Sequence, residues 1–517
     1  MVWQPENDEL EYRQHLAQQM GGPEGIERQH AQGKLTIRER IAALADPGSF
    51  QEIGGLAGAA TYDGDKLVAF RPANSVAGLC TLNGRKVVLS GGDFTVRGGA
   101  ADAAIGNKGG HAQRLALEWR LPYIRLLDAT GGSVRTFEQL GRTYIPDANP
   151  YSAIAGQLLG IAPVVSAVMG SVAGLPAVEA CMAHFNLMVK DTSQLFPGGP
   201  PVVKAALSYD ITKEELGGEQ VSAYSGIIDN VAENEEEAFG IIRRFLNYMP
   251  DNVWEMPPRL EPADERNRRD EELLSIIPRA RNKPYNPHDI LNHVLDHDSF
   301  FEISPFYGQS RITGLARVNG YPVGIMINDP RHLGGAMDVA AGSKVIRFLE
   351  MCDTFHLPMV YFADEPGFMV GIESQKQGIV RAGAKIVLAT CATKMPWITF
   401  ITRQLYGVAG QCHNRPGGMY KRVAWPSANW GSMHIEGGVM AAYRREIEAA
   451  PDPEAKLEEI ERRLKAVTSP FRTAEAFNVE DIIDPRDTRP LLCDFIETAQ
   501  GVLRTQLGPS TGPSYRP

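Results

Sequence analysis

Four glycine-rich turns follow apolar runs that read as strands. Gly131-Gly132 follows a run ending at Asp128, and Gly170–Gly174 (GSVAG) follows Ala162–Val168. Gly367–Gly371 (GFMVG) follows a run ending at Asp364, and Gly407–Gly410 (GVAG) follows Ile398–Arg403. A strand that opens into a helix through such a turn leaves backbone N–H groups unpaired at the helix start. The chemistry this offers is stabilisation of a developing enolate-type oxygen, with one oxyanion hole expected in each half of the chain. Ordinary strand-to-helix turns look the same singly; four of them in matched positions favour function.

Side chains offer less. There is no GxxxxGK[ST] phosphate loop, no GxSxG elbow and no HExxH pair. His184 and His434 lie on apolar runs and are expected as packed histidines. Cys412 and His413 are sequence neighbours, which do not face each other usefully. Arg97, Arg135, Arg331 and Lys344 flank the glycine turns, where they meet a phosphate or carboxylate or simply face water. Glu179, on the helix after Gly174, is the carboxylate placed for acid/base work, and a solvated or paired carboxylate is the plainer expectation.

The elements that position these turns come twice. Laying Gly78–Gly131 over Gly314–Gly367 at an offset of 236 gives 17 identities in 54 positions without a gap. A repeat of this length is a duplicated domain rather than a solenoid. In each copy an Asn-Gly pair (Asn83-Gly84; Asn319-Gly320) separates two apolar runs, the signature of a hairpin. A buried strand, a Gly-Gly loop, a long helix and a further short strand come next. Strands alternating with helices predict a layered α/β core. Pro250 to Pro287, rich in proline and carrying the charge run Asp264–Glu272, reads as an exposed linker. The N-terminal arm, about 7–45, and Glu454–Ala466 read as helical.

The chain has 517 residues, 43% hydrophobic and 22% charged, with 52 glycines and a net charge of −10. That balance suits a large globular core in two or three domains. An acidic chain without a basic footprint is a poor partner for nucleic acid. No run of 18 apolar residues predicts a membrane span, and the polar, acidic N-terminus is unlike a signal or transit peptide. Six scattered cysteines without a CxxC spacing point to free thiols in a cytoplasmic setting and to no structural metal site.

The chain resembles the carboxyltransferase (β) subunits of biotin-dependent acyl-CoA carboxylases, the propionyl-CoA and methylcrotonyl-CoA carboxylase group. The likeness spans nearly the whole chain. It runs from Gly33–Arg40 and Asp46–Phe50 through Gly92–Val96, Glu215–Gly218, Asn282–Tyr285 and Asp364–Phe368. It continues through Gly378–Lys385, Ile401–Arg403, Ala424–Pro426, Ser469–Phe471 and Ile483–Arg489.

The resemblance implies two tandem crotonase-like domains, each a ββα superhelix, and a homohexamer built as a trimer of dimers. Residues 1–255 would form the acyl-CoA domain, 256–285 a linker and 286–517 the carboxybiotin domain. Active sites would lie where the N-half of one subunit meets the C-half of another. Carboxyl transfer from carboxybiotin to the enolate of an acyl-CoA would use Gly174, Leu175, Val408 and Ala409 as catalytic positions. Gly98, Gly99, Gly131, Gly132 and Arg135 would bind acyl-CoA, and Gly367, Phe368, Gly371, Tyr406, Gly407 and Gln411 would bind biotin. The biotin would be carried by a separate biotin carboxylase or carboxyl carrier subunit. This chain has no AMKM-type biotinyl-lysine motif, Thr393-Lys394-Met395-Pro396 being the nearest.

Departures from the family pattern concentrate at the turns. The usual Ala-Gly-Gly-Ala is Ala173-Gly174-Leu175-Pro176, and Phe-Gly-Gly-Ala-Tyr is Tyr406-Gly407-Val408-Ala409-Gly410. The Asp that follows in propionyl-type members, where it lines the acyl pocket, is Gln411, and Ser-Gly-Gly-Ala-Arg is Ala129-Thr130-Gly131-Gly132-Ser133. These changes leave the acyl group unassigned. The alternatives are a biotin-linked decarboxylase or transcarboxylase subunit, a biotin-independent hydratase using Glu179, and an inactive CoA-binding assembly subunit.

Overall fold

A computed structural model describes residues 2–147, 149–262, 264–414 and 417–510. The chain divides after Glu255 into two units. Each holds an eight-stranded sheet whose strands lie side by side largely in chain order. In the first the path is Gln51–Glu52, Ser75–Leu82, Arg85–Gly92, Tyr123–Ala129, Val164–Ala173, Phe185–Val189 and Asn230–Ala232. In the second it is Phe301–Ile303, Arg311–Val318, Tyr321–Asn328, Met359–Glu365, Trp397–Tyr406, Tyr420–Ala424 and Asp481–Ile482. In both, a short side strand pairs with the fifth strand of the path: Gln194–Phe196 with Val164–Ala173, and Asn429–Gly431 with Trp397–Tyr406. The duplicated α/β architecture expected from the repeat is thus present in the sheets.

Local chemistry explains the copies. Asn83 (φ 51°) and Gly84 (φ 79°) turn the first hairpin, as Asn319 (φ 50°) and Gly320 (φ 77°) turn the second. Both central residues sit at positive φ, which Asn and Gly tolerate best. A carboxylate locks each turn. Asp46 accepts the N–H groups of Asn83 and Gly84, both at 2.8 Å. Asp296 accepts those of Asn319 at 3.0 Å and Gly320 at 2.8 Å. The hairpin strands are antiparallel, and the next strands add in parallel. Parallel strands covered on both faces carry continuous apolar runs, and Val87–Leu89 and Val323, Ile325 and Ile327 are fully buried.

The helices Lys108–Trp119 and Val339–Thr354 occupy matched places. Asn107 and Asp338 cap them through side-chain oxygens. The segment expected as an exposed linker, 256–285, belongs to the second unit. Leu273 and Tyr285 enter that unit's core, and the Pro258 carbonyl accepts a bond from Arg317. Its prolines set extended backbone, but its apolar residues have a sheet to pack on.

Candidate active site

In the first unit the glycine turns gather at the carboxyl ends of three parallel strands. Gly98 (φ 63°) and Gly99 (φ 65°) follow Arg85–Gly92, Gly131 (φ 76°) follows Tyr123–Ala129, and Gly174 (φ 70°) follows Val164–Ala173. The Gly98 carbonyl accepts the Thr130 N–H at 3.0 Å and its hydroxyl at 2.9 Å. Gly131 lies so close to the neighbouring turn that a Cβ there would stand 2.4 Å from the Ala173 carbonyl oxygen. A Cβ on Gly174 would stand 4.0 Å from the Gly132 nitrogen. The residues 98–99, 131–132 and 174–175 are therefore brought together.

The donors differ from the expected pair. The Gly174 N–H, expected to act beside that of Leu175, donates instead to the Phe196 carbonyl at 3.3 Å. The side strand Gln194–Phe196 causes this, because its pairing carries Phe196 alongside Ala173. Leu175 begins the helix Leu175–Cys181, and its N–H has no acceptor among the described residues. Nor has that of Gly132. Two unpaired N–H groups from adjacent turns are the raw material of an oxyanion hole. Arg135 starts a short helix, Arg135–Leu140, and is exposed.

In the second unit Gly407 (φ 64°) ends the strand Trp397–Tyr406 and opens the helical turn Gly407–Gly410. The N–H groups of Val408 and Ala409 have no acceptor among the described residues. Gly367 (φ 126°) lies beside this turn, and a Cβ there would be 3.8 Å from the Tyr406 carbonyl oxygen. Its carbonyl accepts the Met337 N–H at 3.0 Å, as that of Gly131 accepts the Ala101 N–H at 2.9 Å in the first unit. Gln411, Gly407, Gly410, His413 and Arg422 line one cavity of about 270 Å³.

Two expected biotin residues have their side chains turned to structure. The Tyr406 ring is buried, stacks on His434 at 4.1 Å and donates its hydroxyl to Asn429 at 2.8 Å. The Phe368 ring packs on Gly383, where a Cβ would lie 2.8 Å from it. Gly371 (φ 112°) caps a separate short helix, Ile372–Lys376.

Beneath each site a buried aspartate ties the strand ends together. Asp128 accepts bonds from Lys34 at 3.0 Å, Arg40 at 3.2 Å and Gln29 at 3.1 Å. Glu235 completes the charge balance on Arg40. Its copy, Asp364, accepts from Arg403 at 2.9 Å, Gln404 at 3.1 Å and the Tyr285 hydroxyl at 3.1 Å. Burial lowers the Lys34 pKa against the pull of Asp128, and burial with Asp364 pushes that of Tyr285 well up.

Sequence reasoning missed Glu365. It is fully buried against Arg311, and its second oxygen accepts the Gly367 N–H at 3.0 Å, which fixes that turn. Burial raises its pKa. The signal available was an acid directly before the Pro366-Gly367 turn. Glu179 is half-buried, and burial raises its carboxyl pKa against the attraction of Arg125. Among the described residues no group of three or more His, Cys, Asp or Glu is placed to hold a metal. No helix among them is long and apolar enough to cross a membrane.

A carboxyl transferase domain model matches residues 28–506. The propionyl-CoA carboxylase carboxyltransferase subunit of Haloferax mediterranei is 35% identical over 493 residues, 95% of each chain. The methylmalonyl-CoA decarboxylase subunit alpha of Veillonella parvula is 33% identical over 489 residues, 91% of each. The crystal structure of transcarboxylase 12S, a hexamer with methylmalonyl-coenzyme A bound, matches with a TM-score of 0.85 at 31% identity, over 96% of this chain and 95% of that one. The chain belongs to the carboxyl transferase domain family. It is an enzyme of the carboxyltransferase class, built as two copies of one α/β unit.

Proposed function

We propose that this carboxyltransferase moves a carboxyl group from carboxybiotin, borne by a partner subunit, to the α or vinylogous carbon of an acyl-CoA thioester. The observation that carries it is the pair of matched turns, one per unit, with unpaired N–H groups: Gly132 and Leu175 in the first, Val408 and Ala409 in the second. Two ligands that each develop an oxyanion need two such places.

Carboxybiotin, when bound, supplies CO2 and a basic ureido nitrogen that takes the substrate proton. The first unit holds the thioester oxygen as it becomes an enolate oxygen. The second unit holds the ureido oxygen through Val408 and Ala409. The chain's part is alignment and charge stabilisation, which suits a site poor in acid and base side chains.

The active assembly is a homohexamer, a trimer of dimers, docked with a biotin carboxylase or carboxyl carrier subunit. The hexameric transcarboxylase 12S supports this reading. All six cysteines are free thiols, which supports a cytoplasmic setting. Purification of the native complex tests the reading, with bicarbonate fixation measured over a panel of acyl-CoAs. ATP-dependent, avidin-sensitive carboxylation is expected. Acyl-CoA decarboxylation without ATP would move the chain to the decarboxylase reading, and avidin-insensitive turnover would overturn the biotin link.

A further inference from the structure

Resting on the acyl-CoA reading of the first unit, we propose that a pocket between the helix Gly22–Ala31 and the turn at 94–98 binds the phosphate-bearing end of the CoA thioester, with Arg28 and Arg97 as its cations.

The pocket exists because glycine lets a helix approach a turn. The Gly21 N–H donates to the Thr95 hydroxyl at 2.8 Å. A Cβ on Gly21 would fall 2.1 Å from the Thr95 carbonyl oxygen, and one on Gly25 would fall 3.2 Å from it. Between them lies a cavity of about 290 Å³, lined by Arg28, Gln32, Phe94, Thr95 and Arg97. That is just below the ~300–1,000 Å³ of pockets that enclose a drug-sized ligand. It accommodates one end of a CoA thioester rather than the whole.

The chemistry of the walls selects an anion. Arg28 is exposed on the pocket wall and, among the described residues, takes part in no hydrogen bond or ion pair. Arg97 is paired with the buried Asp102 and keeps about a third of its side-chain surface exposed. Lys34 lies over the Phe94 ring at 4.3 Å, but its ammonium is held by Asp128. A planar guanidinium facing water in a pocket is suited to phosphate oxygens.

Position and the internal repeat sharpen this. Gly98 lines the pocket, and its carbonyl accepts bonds from Thr130, which directly precedes Gly131-Gly132. The pocket therefore adjoins the N–H donors at the same sheet end. In the second unit the position matching Arg97 is Leu333, with the same left-handed backbone (φ 54° and 52°). The arginine nearby there, Arg331, is clamped by its own neighbour Asp329 at 2.7 Å. The copies share a backbone, and only the first places an arginine at this turn position.

The test uses the full chain, with 3′,5′-ADP titrated calorimetrically and turnover compared on acyl-CoA and acyl-pantetheine. Arg28→Ala is expected to weaken 3′,5′-ADP about tenfold and raise KM for acyl-CoA alike. It should leave kcat and the KM for acyl-pantetheine unchanged, and Arg28→Lys should recover part of the loss. Unaltered 3′,5′-ADP binding by a folded Arg28→Ala protein overturns the phosphate site and leaves the acyl-CoA reading standing. If the unmutated chain binds neither CoA nor 3′,5′-ADP, both fall.

Discussion

The Phe196 carbonyl takes the Gly174 N–H at 3.3 Å, which makes the Leu175 N–H the outward donor of that turn. Gly174 serves by its conformation, φ 70° and ψ −135°, which a side chain adopts only under strain. The donor can be deleted separately. Leu175 is the first residue of its helix, where proline is tolerated because the N–H has no helical partner. Leu175→Pro is expected to lower kcat by ~10²–10³ with little change in Tm. Leu175→Ala keeps the N–H and most of the activity. Equal activity of the two variants in a steady-state assay would remove this N–H from the mechanism.

Gly170 faces Asp128 directly: a Cβ there would stand 2.1 Å from Oδ1. The Asp128 carboxylate belongs to the buried cluster with Lys34 and Arg40, which cannot shift without stranding a charge. Gly170→Ala should therefore cost about 3 kcal/mol, read as a lowered urea midpoint. An unchanged midpoint would mean the cluster does not hold the strand end.

The turns were legible in the sequence because their chemistry is local. Asn83-Gly84 and Asn319-Gly320 state their φ preferences in two letters, and the gapless repeat orders the strands and helices after each hairpin. The Asp128 cluster was not legible, because Arg40 and Glu235 are 195 residues apart and meet only where the helices Ile37–Leu44 and Glu235–Leu246 pack together. The same holds for Gly174 and Phe196, whose bond depends on a side strand of three residues. Tyr406 and Phe368 lie at the glycine turns the sequence marks, but their side-chain directions depend on Asn429, His434 and Gly383, which no local pattern names.

His413 gives the site unit an acid limit. Its ring is buried between the Gly410 carbonyl and Arg422, and burial lowers its pKa from 6.5 to about 4. The native state then binds fewer protons than the unfolded chain between those values. Its stability is complete above pH 6.5 and falls as pH drops toward 4, by roughly 3 kcal/mol from this group. His413→Gln should flatten that part of the Tm-against-pH curve. A variant curve parallel to that of the unmutated chain would assign the acid loss elsewhere.

Glu179 separates the carboxyltransferase account from a hydratase. Burial raises its carboxyl pKa, so the ionised form is disfavoured in the native state. The stability it gives is present below the ordinary carboxylate pKa of 4.5 and lost as pH rises through the raised value. Glu179→Gln should therefore gain Tm at pH 7.5, gain less at pH 4.5, and keep carboxyl transfer within about threefold. Loss of all turnover in a folded Glu179→Gln protein would point to acid/base chemistry at this helix.

The central claim is tested most directly by running the transfer backwards with the chain alone. Purified protein is incubated with a malonyl-type CoA thioester labelled in its free carboxyl group, with or without free biotin. The account predicts label in carboxybiotin and release of the decarboxylated acyl-CoA, both dependent on biotin and both lost in Leu175→Pro. Biotin-independent turnover of the thioester, or tight thioester binding with no label transferred, would contradict it.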